Sequence, residues 1–331
     1  MSEVVEIIKG LVSPCEKLIN AVHETVGKMY EPRYIKRKVD AKAYEIQKIS
    51  QALSEASDVP IVYDKGDLTM NTTDFDELVK RAGNRLAYQE LRKQTNIEMV
   101  ISNAYYDLEN EDPVTNEPID QDWLNRFFNS VEDISNEQMQ YLWAKILAGE
   151  IKKPSSFSMR TLNVLKNLTQ REAELFKNIS PYIFTCPGND EKSFTDYFLP
   201  SSDTLINDMI EDYCVPFPDI LTLIEAGIIN NATTLKISMH LNPKETDWID
   251  GSQGRIEFYN GSNNSVNLSH SAYVLTESGK ELFPIISECS DSVPKEYIEA
   301  FKDNIIAINS IVTKNHMKDI DVRIVERKVV I

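Results

Sequence analysis

The residues that could do chemistry are few and scattered. His23, His240, His270 and His316 lie in separate segments, and none has a second ligand at metal-binding spacing. Alternating strands could bring His240 and His270 together, but with no carboxylate or thiol in register. Cys15, Cys186, Cys214 and Cys289 are far apart and form no C-x-x-C pair. No G-x-x-x-x-G-K-[ST] loop and no G-x-G-x-x-G turn is present, and Gly251-Ser252-Gln253-Gly254 is not a G-x-S-x-G elbow. The 52 acidic residues are too many for one pair to be singled out, which leaves scattered metal-binding carboxylates of a nuclease as the open enzymatic form. The expectation is a protein that is not an enzyme and has no catalytic residues, metal or cofactor.

One basic cluster stands apart: Arg33, Lys36, Arg37 and Lys38, with Lys42 and Lys48 beyond. Helical spacing brings Arg33, Lys36 and Arg37 near one face. This is the candidate anion or nucleic-acid patch. The competing reading is a solvated helix face with Glu31, Asp40 and Glu45 as local partners.

The elements that would position these groups read as mostly helical. Glycine is only 11 of 331 residues, while 42% are apolar and 26% charged, an ordinary folded mixture. Apolar residues from Val4 to Met29 recur at three- and four-residue spacing. Ser13-Pro14-Cys15-Glu16 is a restart signal, so the pattern predicts helices over 3–12 and 14–30, with a third opening at Pro32. Phe75, Leu78, Ala82, Leu86, Ile97, Ile101, Ala104 and Leu108 predict a long helix over 74–109, interrupted by a polar middle. Helices this long commonly pair between subunits.

After a loop at 112–118, Asp122 opens a helical block through Trp123, Phe127 and Ile134. Ser135-Asn136-Glu137-Gln138 reads as a capping box for a helix carrying Leu142, Trp143, Ile146 and Leu147 on its apolar face, with Gln140, Lys145 and Glu150 on the polar side. Gly149 reads as the end of that helix. Phe157 and Leu162 follow, and Thr169…Glu172 is a second capping box. The sequence D-W-L…R-F-F, then L-W-A…I-L-A-G-E, then P-x-S-F-S-x-R-T-L and E-A-E-L-F, over Asp122–Phe176, resembles the bacterial domain-of-unknown-function family numbered 2806. Weaker likeness extends to Tyr30–Arg37 and to Leu275–Leu282. The L-W-A…L-A helix is also loosely similar to the Abi-alpha abortive-infection family. The resemblance implies a bacterial protein with phage defence as its nearest functional neighbour, and it hands over no catalytic residue. Trp123, Phe127, Leu142, Trp143, Leu147, Phe157 and Leu162 are read as the packing core of the motif. Where the family usually has P-G-S-F, this chain has Pro154-Ser155-Ser156-Phe157, so a positive φ there would fall on Ser155.

Downstream, a helix near Pro216–Gly227, alternating segments at 235–241, 255–259 and 272–275, and the Leu275-Thr276-Glu277-Ser278-Gly279 handover resemble a bacterial winged helix. Yet residues 181–290 hold 16 acidic and 5 basic groups, the reverse of a nucleic-acid footprint. A helix from Pro294 and an edge strand over 321–330 close the chain.

The fold expected is mainly α with a smaller α+β part: long N-terminal helices, a central helical bundle and a winged-helix-like domain. The segments are a 1–110 coiled-coil oligomerisation region, a 111–180 family motif, a 181–290 winged-helix-like domain and a 291–331 helix and strand. With no leader and no apolar run near the ~18 residues of a membrane span, the chain is expected to be cytoplasmic with free thiols. The functional expectation is a non-enzymatic, oligomeric interaction protein with a protein partner, in phage defence or stress response. The alternative is a nucleic-acid-binding regulator using the Arg33–Lys38 cluster or the winged helix.

Overall fold

The computed structural model describes residues 11–26, 63–64, 67–68, 75–186, 196–201, 215–230, 235–252, 254–288, 295–313 and 319–326. The chain forms two compact units, Met1–Ser156 and Phe157–Ile331, so the boundary falls inside the central motif. Both helices and an extensive antiparallel sheet are present, and the fold is mixed α+β.

In the first unit, strand β1 (Leu11–Val12) precedes helix α1 (Pro14–Thr25). A short hairpin pairs β2 (Tyr63–Asp64) with β3 (Asp67–Leu68). Helix α2 (Phe75–Leu108) is 34 residues long. Strand β4 (Val114–Thr115) pairs with β1. Helices α3 (Gln121–Val131) and α4 (Glu137–Lys152) complete a four-helix packing with α1 and α2. Among the described residues, the expected set of long N-terminal helices is not found; α2 alone has such a length, close to the 74–109 span expected. Leu11 and Val12, assigned to a 3–12 helix, are extended because they pair with β4. α1 stops at Thr25, and the helix expected from Pro32 lies outside the described residues.

The motif residues supply this unit's core. Trp123 stacks on Phe127 at 5.2 Å, and Phe127 meets Trp143 edge-on at 5.3 Å. Trp143 and Leu147 are fully buried, as are Val100, Ala104 and Leu124. Truncating a ring so enclosed costs about 3–5 kcal/mol. Leu142 differs from the expectation: it is half-buried, one position off the stripe that faces α2. Gln140 and Glu150 differ in the opposite sense, being buried rather than on a polar face. Gln140 Nε2 donates to the Ile134 carbonyl (2.8 Å) and to Asn96 Oδ1 (3.3 Å), while Asn96 Nδ2 donates to the Glu132 carbonyl (2.8 Å). The two amides thus satisfy the main chain of the α3–α4 connection. The cap of α4 is Asn136, accepting from Met139 N, not Ser135. The helix runs past Gly149 to Lys152.

The turn after α4 is held by Glu150. Its carboxylate accepts the Ser155 N–H (2.6 Å) and the Ser156 N–H (3.1 Å). Ser155 sits at φ +64°, the left-handed conformation that the sequence departure from glycine placed in question.

In the second unit, helices α5 (Met159–Asn167) and α6 (Gln170–Ile179) follow, the latter opened by a complete Thr169–Glu172 capping box. Phe157 and Leu162 are buried. Strands β5 (Phe184–Cys186) and β6 (Asp196–Pro200), helix α7 (Phe217–Glu225), strands β7 (Leu235–Leu241), β8 (Thr246–Gly251), β9 (Gly254–Asn260) and β10 (Val266–Val274), helices α8 (Glu277–Ser287) and α9 (Lys295–Thr313), and strand β11 (Ile320–Glu326) complete it. The sheet has seven strands in the order β11-β9-β8-β5-β6-β10-β7, and every pairing is antiparallel. Tyr297, Ile298, Phe301 and Ile305 of α9 cover its inner face, against Phe184, Phe198, Phe258 and Leu268.

This sheet replaces the expected winged helix. The junction that suggested one does form: Ile229 bridges Leu275, Thr276 N donates to the Ile228 carbonyl, and Thr276 Oγ1 donates to the Gly227 carbonyl at 2.6 Å. Between the two halves, however, lie four strands of a seven-stranded sheet rather than a two-stranded wing. β5, β6 and β8 escaped the sequence reading. β5 has only three residues, and β8 interleaves Trp248 and Ile249 with Asp247 and Asp250, which masks its alternation.

Candidate functional site

Arg33, Lys36, Arg37 and Lys38 lie outside the described residues. Trp123, Phe127, Trp143, Leu147, Phe157 and Leu162 are buried, which makes them packing residues. Two other places are shaped to meet something.

The first is on α2. From Ile97 onward the helix buries Ile97, Val100, Ile101, Ala104 and Leu108. Leu86, Ile97 and Leu108 are spaced by eleven residues, three turns, and so share a face. Upstream that face is uncovered: residues 82–92 are exposed throughout, with Leu86 59% and Leu91 42% accessible. Tyr88, also exposed, lies on another side of the helix.

The second is a pocket of about 450 Å³ in the second unit, assembled from four separate segments. The 3-10 turn Ser180–Tyr182 and β5 supply Ser180, Pro181, Ile183 and Thr185. The β8–β9 turn supplies Asp250, Gly251 and Ser252, and α8 supplies Phe283 and Ser287. Tyr197 closes one wall against Phe283, ring centroids 5.0 Å apart. The Asp250 carboxylate takes a bidentate pair from Arg255, Nε to Oδ1 at 2.8 Å and Nη2 to Oδ2 at 3.1 Å. Donating to the Asp250 carboxylate raises the Arg255 pKa above its usual value, and the guanidinium also lies 4.6 Å from the Trp248 ring centre. Nothing in linear spacing joins Ser180, Asp250 and Ser287.

The histidines separate. β7 and β10 pair His240 with Asn267 and His270 with Ile237. His240 is exposed and bonds Asn267 Oδ1 through Nδ1, whereas His270 is buried on the opposite, inner face. His270 Nε2 faces Asn304 Nδ2 at 3.2 Å, its Nδ1 has no hydrogen-bond partner, and it borders a cavity of about 20 Å³. Burial lowers its pKa from 6.5 to about 4, against a smaller opposing contribution from the Ser271 backbone. Among the described residues, no group of three or more His, Cys, Asp or Glu side chains is placed to hold a metal ion, and no helix is long and apolar enough to cross a membrane.

A family model described as a protein of unknown function, DUF2806, matches residues 80–302. No curated protein and no solved structure matches the chain.

Proposed function

The chain belongs to this family of unknown function, DUF2806, and from that premise we propose that it is a bacterial binding protein rather than an enzyme, self-associating through α2 and acting in phage defence. The observation that carries the assembly reading is the uncovered run of α2. The same face that is buried from Ile97 onward presents Ala82 and Leu86 to solvent, with Leu91 farther round the helix. Residues 82–92 cover about 16 Å of helix, three turns, which is long enough for an antiparallel or parallel partner helix to seat on. A second copy of α2 offers the same apolar side chains in a self-complementary contact. The likeness of the L-W-A…L-A helix to the abortive-infection family supports the defence role, in which assembly and partner binding are the working steps.

Light scattering on the full chain tests the assembly reading. The wild type is expected above monomer mass, and Leu86→Glu with Leu91→Glu is expected to return it to a monomer that keeps its helical circular dichroism, since both side chains are exposed in the single chain. A wild-type monomer across the concentration range would refute it. Plaque counts on cells with and without the gene, over a phage panel, test the defence role. Equal counts for every phage at normal expression would remove that role and leave the binding class standing.

A further inference from the structure

We infer that the pocket between the Ser180–Tyr182 turn, the β8–β9 turn and α8 is a binding site for a donor-rich organic cation, an alkylammonium or guanidinium compound. The argument is one of hydrogen-bond polarity. A hydroxyl has one proton and two lone pairs. Ser180 Oγ donates its proton to the Lys177 carbonyl (2.8 Å), Ser252 Oγ to the Pro181 carbonyl (2.8 Å), Ser287 Oγ to the Pro284 carbonyl (3.2 Å) and Thr185 Oγ1 to the Asp250 carbonyl (3.4 Å). With those protons committed, the Ser252 and Thr185 hydroxyls offer a ligand lone pairs. Asp250 is an acceptor as well. Arg255 fixes its carboxylate and offsets its charge, and each carboxylate oxygen keeps acceptor capacity beyond the single bond it takes from the guanidinium. No Lys, Arg or His is among the described residues lining the pocket.

Such a lining discriminates. An anion would set lone pairs against lone pairs. An apolar ligand would strip water from the acceptors and return nothing, at a cost of about 1–3 kcal/mol for each group stranded. A ligand rich in N–H donors satisfies several acceptors at once, and its positive charge is favoured over the faces of Tyr197 and Phe283. The surrounding segment 181–290, with 16 acidic and 5 basic residues, raises the local concentration of cations. The volume of about 450 Å³ is in the range of small-molecule sites.

The inference is independent of self-association, and its test uses the full chain at moderate salt. Calorimetric titration is run with spermidine and with agmatine as probes, and with inorganic phosphate and citrate as anionic controls. Saturable one-site binding of at least one cation, with neither anion bound, is expected. Ser252→Arg places a tethered guanidinium at an exposed position on the pocket. It is expected to weaken cation binding at least tenfold; the lost Ser252–Pro181 hydrogen bond lowers the melting temperature slightly, and circular dichroism checks that the fold is kept. Ser287→Trp, which fills the pocket from α8, is expected to weaken cation binding as much. Absence of cation binding, equal binding of phosphate or citrate, or cation binding that survives both variants would each overturn the inference. The last of these outcomes identifies diffuse attraction to an acidic surface.

Discussion

Glu150 and Ser155 show how a single substitution is accommodated. The buried carboxylate of Glu150 binds two successive N–H groups of the turn, so the turn keeps its shape although Ser155 must adopt φ +64°. A left-handed conformation costs a non-glycine residue about 1–2 kcal/mol, part of which glycine gives back through the greater freedom of the unfolded chain. Ser155→Gly is therefore expected to stabilise the protein by about 0.5–1 kcal/mol, read as a higher denaturation midpoint, and Ser155→Val to destabilise it. A second residue-scale effect comes from His270. Its neighbours across the cavity are Phe198, Met239, Leu268, Phe301 and Ile305, none of which can share a charge. Its folded pKa of about 4 lies below the usual 6.5. Above pH 6.5 both states are neutral at this site and stability is complete. As pH falls from 6.5 to 4 the unfolded chain takes up a proton that the folded one refuses. Stability is then lost at about 1.4 kcal/mol per pH unit, about 3 kcal/mol in all. Denaturation midpoints measured between pH 7 and 4 should fall for the wild type and fall less steeply for His270→Gln; identical slopes would show that His270 is not the group responsible.

Elements were legible where one pattern acted alone. The Thr169–Glu172 box, the strand Leu235–Leu241 and the helix at Phe217 all have local causes, and all form. α4 was read correctly as a helix but with its polar side misjudged, because Gln140 and Glu150 are buried by partners distant in sequence or beyond the helix end. The junction of Gly227-Ile228-Ile229 with Leu275-Thr276 gives a sharper test of element packing. Gly279, in the first turn of α8, lies against the Ile228 carbonyl, and a Cβ there would overlap main-chain oxygen. Gly279→Ala would gain helix propensity of about 1 kcal/mol on an open surface. Here it is expected to destabilise by more than that gain, since backbone rather than a flexible side chain must move. A melting temperature at or above wild type would show that the junction yields.

At the scale of the molecule, charge decides what the surface can approach. Net charge is −17, and the acidic excess is concentrated in 181–290, the stretch that builds most of the sheet unit. A regulator bound to nucleic acid would have to work through Arg33, Lys36, Arg37 and Lys38. In that case binding falls steeply between low and moderate salt, and changing all four to Ala abolishes it. If the cluster is solvated surface, the same variant should change stability by no more than about 0.5 kcal/mol and leave function intact. Composition, spacing and capping signals by themselves determined a folded chain rich in helix, the buried aromatic motif of Trp123, Phe127 and Trp143, and the length of α2, because each of these depends on neighbours within a few turns. Only the tertiary structure decided that Ile229 to Leu275 spans four strands of a seven-stranded sheet, that His240 and His270 face opposite ways, and that Ser180, Asp250 and Ser287 line one pocket. Those outcomes rest on strand pairing and register between segments tens of residues apart, and a one-residue change of register would turn every side chain of a strand to the other face.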